Sequence, residues 1–277
     1  MRILVAVDLA VSGHDWMIGR ASGLAGHLGA TLDIAYVRSA DVSLASIDNF
    51  HGQLQMLLAK VDPKRRGVPR LEVGKPDDVL VELSSEYQAL LVGPREPSAL
   101  ERMLRGTMAA RILLRAHCPV LIPRAKTWAT DGPPRLLVAV NINGPNQDKI
   151  IDYAGRWGAT LNGRIDAVYA VSESIPYIKE ATVRERAERE WLAAHRAELD
   201  KVNAILATVP VENRGSALLR RGQPEAVLVA MSAQYQIVVL GNRERGGITG
   251  FILGAVAQHV VRNANCDVLT LPTADFA

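Results

Sequence analysis

Two glycine-bearing stretches hold the residues best placed for chemistry. GNRERGGITGFILGA (241–255) follows an apolar, β-branched run and leads into an apolar, helix-like segment. Its glycines let the backbone approach an anion closely, and a following helix N-terminus offers unpaired N–H groups and a favourable dipole. GPREPSALERMLRGT (93–107) stands in the same relation to an earlier apolar run, with Gly93, Gly106 and Thr107 at its ends. That chemistry is phosphate binding, but each loop carries a carboxylate at its centre, Glu96 and Glu244. A carboxylate ~4 Å from a phosphate charge costs on the order of 1 to 4 kcal/mol, depending on screening. Arg95, Arg243 and Arg245 either offset that charge or pair with the glutamates. Both loops read as phosphate cradles with an opposing charge built in, or as glycine-rich turns.

Several other chemistries are excluded by pattern. No GxGxxG follows a first strand, no GxxxxGK[ST] is present, and GxSxG is absent. Rossmann dehydrogenases, Walker-type NTPases and α/β-hydrolases therefore drop out. The histidines, at 14, 27, 51, 117, 195 and 259, show no HExxH or similar ligand spacing. Asp8 stands without the acidic cluster of a receiver domain.

The elements that position these loops come in two copies. ILVAVD (3–8) recurs as LLVAVN (136–141), and GATL (29–32) as GATL (158–161). GKPDDVLVEL (74–83) matches GQPEAVLVAM (222–231), LLVG (90–93) matches VVLG (238–241), and HCPVLIP (117–123) matches NCDVLTLP (265–272). Each copy alternates short, near-continuously apolar strands with helices, the pattern of a parallel sheet covered on both faces. Ile47, Phe50, Leu54, Leu58 and Val61 mark a helix between the second and third strands of the first copy. In the second copy a longer charged helix takes that place, with Leu192, His195, Leu199, Val202 and Leu206 as its expected buried stripe. AKTWATDGPPR (125–135) has linker punctuation. The expected architecture is α/β: two tandem five-stranded, open, doubly wound parallel-sheet domains, 1–126 and 134–277. In such sheets ligands bind at the carboxyl ends of the strands, which here means Asp8 and Asn141, Val37 and Ala170, and the two glycine loops.

Composition narrows the partners. Lys and Arg number 32 against 29 Asp and Glu, without blocks of like charge, so a nucleic-acid face is not expected. No apolar run approaches the ~18 residues of a membrane span, and MRILVAVD is too short for a signal-peptide core. A cytoplasmic protein without a membrane partner is the expectation. Cys118 and Cys266 cannot form a disulfide framework or a zinc cage, and read as small buried hydrophobes.

The whole chain resembles the universal stress proteins, as a tandem pair. The resemblance rests on Asp8 after the first strand, Gly74-Lys75-Pro76 before the third helix, and a G-x2-G-x9-G-[ST] pattern after the fourth strand. That pattern reads Gly93, Glu96, Gly106, Thr107 in the first copy and Gly241, Glu244, Gly254, Ala255 in the second. The family implies ATP or AMP binding, adenine near strands one and two and phosphates on the glycine loop. Carried over, Asp8, Val37, Gly93, Gly106 and Thr107 match in the first copy. Gly241 and Gly254 match in the second, with Asn141 in place of the acid, Ala170 closing the second strand and Arg243 beside the loop. Three readings stay open: a stress-response module that binds an adenine nucleotide weakly without fast turnover, an interaction protein whose pockets are lost, and a slow ATPase at most. The resemblance also implies pairing of the domains along their last strands, and a homodimer of tandem chains is a further expectation. No metal or catalytic residue is expected.

Overall fold

The computed structural model describes residues 1–9, 13–41, 43–93, 107–124, 133–144, 146–174, 179–241 and 254–272. In the first copy β1 (Arg2–Ala6), α1 (Asp15–Leu28), β2 (Thr31–Arg38), α2 (Leu44–Ala59), β3 (Arg66–Val73), α3 (Pro76–Leu83), β4 (Ala89–Val92), α4 (Thr107–Arg115) and β5 (Val120–Ile122) follow in order. The second has β6 (Arg135–Ala139), α5 (Gln147–Thr160), β7 (Arg164–Val171), α6 (Ala181–Ala194), α7 (Arg196–Leu206), β8 (Arg214–Arg221), α8 (Pro224–Ser232), β9 (Ile237–Gly241), α9 (Ala255–Asn263) and β10 (Asp267–Leu271). The α/β reading, five strands per copy, is the observed architecture.

The chain forms two compact units, residues 1–128 with 241–277, and residues 129–240. In the first unit the strand order is β3-β2-β1-β4-β5-β10, parallel except that β10 runs antiparallel to β5. In the second it is β9-β6-β7-β8, all parallel. The pairing of the two last strands is thus present, with Leu269 opposite Leu121. It takes the end of the second copy into the first unit. Asp267 secures it: its carboxylate accepts the Arg124 N–H at 2.8 Å and lies 3.2 Å from Arg20 Nε. The Arg124 guanidinium also donates to the Val261 carbonyl. Burial pulls that guanidinium down to about 10, so it remains charged at neutral pH.

Both units share a polar clamp at the amino end of the sheet. Asp33, on β2 and 1% exposed, accepts Arg2 Nη2 at 2.6 Å, the Tyr87 hydroxyl at 2.8 Å and the Val68 N–H at 2.9 Å. One carboxylate thereby ties β1, β2, β3 and the entry to β4. The second unit repeats it: Asp166 accepts Arg135 Nη2 at 2.7 Å, the Tyr235 hydroxyl at 2.8 Å and the Ser216 N–H at 2.7 Å. Arg2 and Arg135 also lie over the rings of Tyr87 and Tyr235, at 4.8 and 4.6 Å. The aspartates set the register. Leu32 pairs with Arg66 but Ile34 with Pro69, so Gly67 and Val68 bulge opposite Asp33. Gly215 and Ser216 bulge opposite Asp166 in the same way. A Cβ on Gly67 or Gly215 would collide with the carboxylate, which is why both bulges carry glycine.

Two sequence expectations change. The second GATL is not the counterpart of the first. Gly29 turns the chain out of α1 with φ 61°, whereas α5 runs through to Thr160 and Asn162, with φ 50°, makes that turn. The long charged helix is broken at His195 (φ −105°, ψ 29°) into α6 and α7. Val202 and Leu206 are buried as expected, but Trp191, outside the expected stripe, is the buried residue of α6.

Replacing Asp166 by Ala is expected to lower urea-unfolding stability by about 3 kcal/mol, because it strands a buried hydroxyl, an N–H and a guanidinium. Burial alone would raise the Asp166 carboxyl, but Ser216, Arg135 and Tyr235 outweigh it and hold it below the ordinary carboxylate range. Its contribution is therefore present above about pH 4 and lost as pH falls through the lowered folded value. Asp166→Asn should flatten that acid limb in the same titration.

Candidate functional site

The register brings Asp8, Val37 and Gly93 of the first copy to one edge. Ala6 pairs with Ala35 and with Val92, so the carboxyl ends of β1, β2 and β4 are level. Asp8, Val37 and Gly93 follow those positions by one or two residues, and Val37 is buried. The strand ends are therefore the frame of the candidate site. Thr107 begins α4. Gly106 lies outside the described residues, as do Arg95 and Glu96.

Local contacts shape this edge. The buried His14, just before α1, places Nε2 3.0 Å from the Asp8 carbonyl oxygen and its own carbonyl accepts the Met17 and Ile18 N–H groups. His14 thus closes the loop that carries Asp8 and starts α1. Tyr36 packs edge-on against Phe50, with ring centroids 4.9 Å apart. Burial first, then the Asp8 charge, pushes the Tyr36 phenol up. The Asp8 charge is therefore felt at this strand end. Gly93 has a packing role as well. A Cβ there would lie 2.5 Å from the sulfur of Met17, a core residue of α1.

In the second copy the same edge is arranged differently. Ala139 pairs with Val168, and Val138 with Val239, so the strands that precede Asn141 and Ala170 are in step with β9. Asn141, however, is engaged in its own turn: Oδ1 accepts the Asn143 N–H at 3.3 Å and its carbonyl accepts the Gly144 N–H at 2.7 Å. Gln147 Oε1 accepts the Asn141 N–H at 2.7 Å. This is the local amide chemistry of an Asx turn. Gly254 precedes α9, in the first compact unit. Arg243, with Glu244 and Arg245, lies outside the described residues.

Cys118 and Cys266 are both buried, and burial pushes the Cys118 thiol up to about 12. It stays protonated at neutral pH, which disfavours redox sensing there. Among the described residues, no group of three or more His, Cys, Asp or Glu is placed to hold a metal ion. No described helix is long and apolar enough to cross a membrane.

Sequence reasoning missed His14, the clamp of Asp33 and Asp166, and a cluster around Glu173 in the second copy. The clamp had a signal. Arg2, Asp33, Gly67, Tyr87 and Gln88 all have identical counterparts in the second copy: Arg135, Asp166, Gly215, Tyr235 and Gln236.

Comparison with known proteins agrees with this architecture. The family model described as "Universal stress protein family" matches residues 1–124 and 134–272. The chain belongs to the universal stress protein family. A universal stress protein of Mycobacterium tuberculosis is 30% identical over 206 residues, covering 70% of this chain and 65% of that protein. One of Mycolicibacterium smegmatis is 29% identical over 197 residues, covering 69% and 64%. The chain therefore spans somewhat less than two thirds of the length of these relatives. A universal stress protein from Archaeoglobus fulgidus shares the fold with a TM-score of 0.67 at 17% identity, covering 98% of this chain and 96% of its own.

If Gly93 is glycine because of Met17, then Gly93→Ala should cost about 1–3 kcal/mol through overpacking. Combining it with Met17→Ala should recover part of that loss. A double-mutant cycle by chemical denaturation reads the coupling, and additive costs would show that Met17 is not the constraint.

Proposed function

We propose that this universal stress protein is a stress-response binding module that holds an adenine nucleotide, ATP or AMP, weakly and without fast turnover. The observation that carries the reading is the convergence of Asp8, Val37 and Gly93 on the level carboxyl ends of β1, β2 and β4. That is where ligands bind in open parallel sheets. In this reading Asp8 and Val37 meet the base and ribose, and Gly93, Gly106 and Thr107 meet the phosphates. The first copy is the better site. It has a carboxylate, Asp8, where the second copy has Asn141, whose side-chain oxygen is spent on its own turn, and Ala255 has no hydroxyl where the first copy has Thr107. Cytoplasmic location and a homodimer of tandem chains belong to the same proposal.

The second reading is an interaction protein whose pockets no longer take nucleotide. The fit of Gly93 against Met17 favours it, because that packing accounts for the glycine without a phosphate.

Calorimetric titration with ATP and AMP separates the two. Asp8→Ala and Thr107→Ala should each weaken binding by about 1.5–3 kcal/mol, the value of a hydrogen bond to a charged partner. Glu96→Gly should strengthen ATP binding by removing a like charge. The absence of any binding heat in the native chain and in Glu96→Gly, with no nucleotide released from gently denatured protein in mass spectrometry, would establish the interaction reading.

A further inference from the structure

The second unit carries, at the carboxyl ends of β7 and β8, a side-chain cluster that the first copy lacks. Glu173 stands two residues beyond β7 and Arg221 is the last residue of β8. Ala40 and Val73 occupy the corresponding places of the first copy. Glu173 collects three partners. The Trp191 indole N–H donates to Oε2 at 2.7 Å, His195 Nε2 lies 3.1 Å from Oε1, and Arg221 Nε is 3.8 Å from Oε2. The Arg221 guanidinium also stacks over the Trp191 ring at 4.6 Å, and the Trp191 and His195 rings lie 4.5 Å apart. End of β7, end of β8 and the α6–α7 junction thus meet on one carboxylate.

The partners of His195 fix its protonation. Nδ1 lies 2.9 Å from the Trp191 carbonyl oxygen, and Nε2 faces the Glu173 carboxylate. Both are acceptors only, so both nitrogens must carry protons for both contacts to be hydrogen bonds. A neutral imidazole would aim a lone pair at one of the two oxygens.

We propose that His195 is held as an imidazolium and forms, with Glu173, a pH-sensitive latch that fastens the α6–α7 junction to the carboxyl ends of β7 and β8. The inference does not rest on nucleotide binding in either copy. Three charged groups face the ring from the elements around it: Glu173 from β7, Arg221 from β8 through their shared carboxylate, and Glu198 from α7. Two carboxylates against one guanidinium favour the cation. The bond to the Trp191 carbonyl raises the His195 value first, burial opposes it, and Glu173 and Glu198 add to the rise. A raised value means the latch is fully formed below the ordinary histidine value near 6.5 and is lost as pH rises through the folded value. At the acid end the Trp191 indole first, then His195 and Arg221, hold Glu173 below its ordinary range, so the carboxylate side of the latch is lost only as pH falls through that lowered value.

The device matters for α6 because little else holds that helix. Ala181–Glu190 is exposed apart from a half-buried Ala187, and Trp191 is the one buried residue of α6. Opening the latch should therefore loosen α6 while leaving α7, anchored by the buried Val202 and Leu206, in place.

Hydrogen–deuterium exchange of the full chain, corrected for intrinsic rates, tests this at about pH 6 and about pH 9. Protection across 181–195 should fall about fivefold or more at the higher pH in the native protein, while 199–206 and β6–β7 are unchanged. His195→Gln and Glu173→Gln should each remove that pH dependence. As a second readout, the His195 ring resonance should titrate above ~6.5 in the native chain and lower in Glu173→Gln. A pH-independent native α6, an equal loss in His195→Gln, or a His195 that titrates at or below the ordinary value would overturn the proposal.

Discussion

The constraint on which this structure depends is a carboxylate buried at the amino end of a parallel sheet. Asp33 and Asp166 are 1% and 5% exposed, and each is satisfied by a backbone N–H, a tyrosine hydroxyl and an arginine. A charge so buried is tolerated only with its lone pairs occupied, so its partners have to arrive in one arrangement. That requirement selects the bulge in the adjacent strand, the glycine inside it and the strand order around it. Apolar strands alone specify register weakly when both faces are buried. The clamp supplies the directional information that hydrophobic burial lacks.

Placing the clamp at the amino end leaves the carboxyl end for other uses, and there the two copies diverge. The first keeps a carboxylate, Asp8, two residues beyond β1, with His14 Nε2 against its backbone carbonyl oxygen. The second replaces that carboxylate by an amide that folds back on its own turn. Beside it, at the ends of β7 and β8, it builds a cluster of Glu173, Trp191, His195 and Arg221. One scaffold, fixed at one end by a duplicated interaction, thus carries unlike chemistry at the other. The asymmetry extends to Asp267, which pairs with Arg20 and Arg124 and has Pro119 as its counterpart in the first copy.

Most of the fold was legible in the sequence because it rests on two strong signals, near-continuous apolar strands and their repetition. The order of Asp8, Val37 and Gly93 at one edge followed from the same pattern. What escaped depended on angles that composition does not carry. GATL occurs twice, but in the second copy it completes α5 because Asn162 takes the left-handed turn that Gly29 takes in the first. The charged helix reads as continuous because no Gly or Pro interrupts it. It breaks at His195, where both the backbone N–H and Nδ1 turn to the Trp191 carbonyl. The clamp residues were visible as identities between copies, yet Arg, Asp and Tyr scattered over 86 residues form no local motif. Their relation exists only once the strands are paired.

The central functional claim is that a nucleotide enters at the first copy's carboxyl edge. Amide chemical-shift mapping of the labelled chain during addition of AMP tests it most directly. The account predicts perturbations that saturate and centre on Asp8, Val37 and Gly93, extending to Met17 through its contact with Gly93, with Asn141 and Ala170 unmoved. Perturbations centred on Asn141, Ala170 and Gly241, or none at saturating nucleotide, would contradict it.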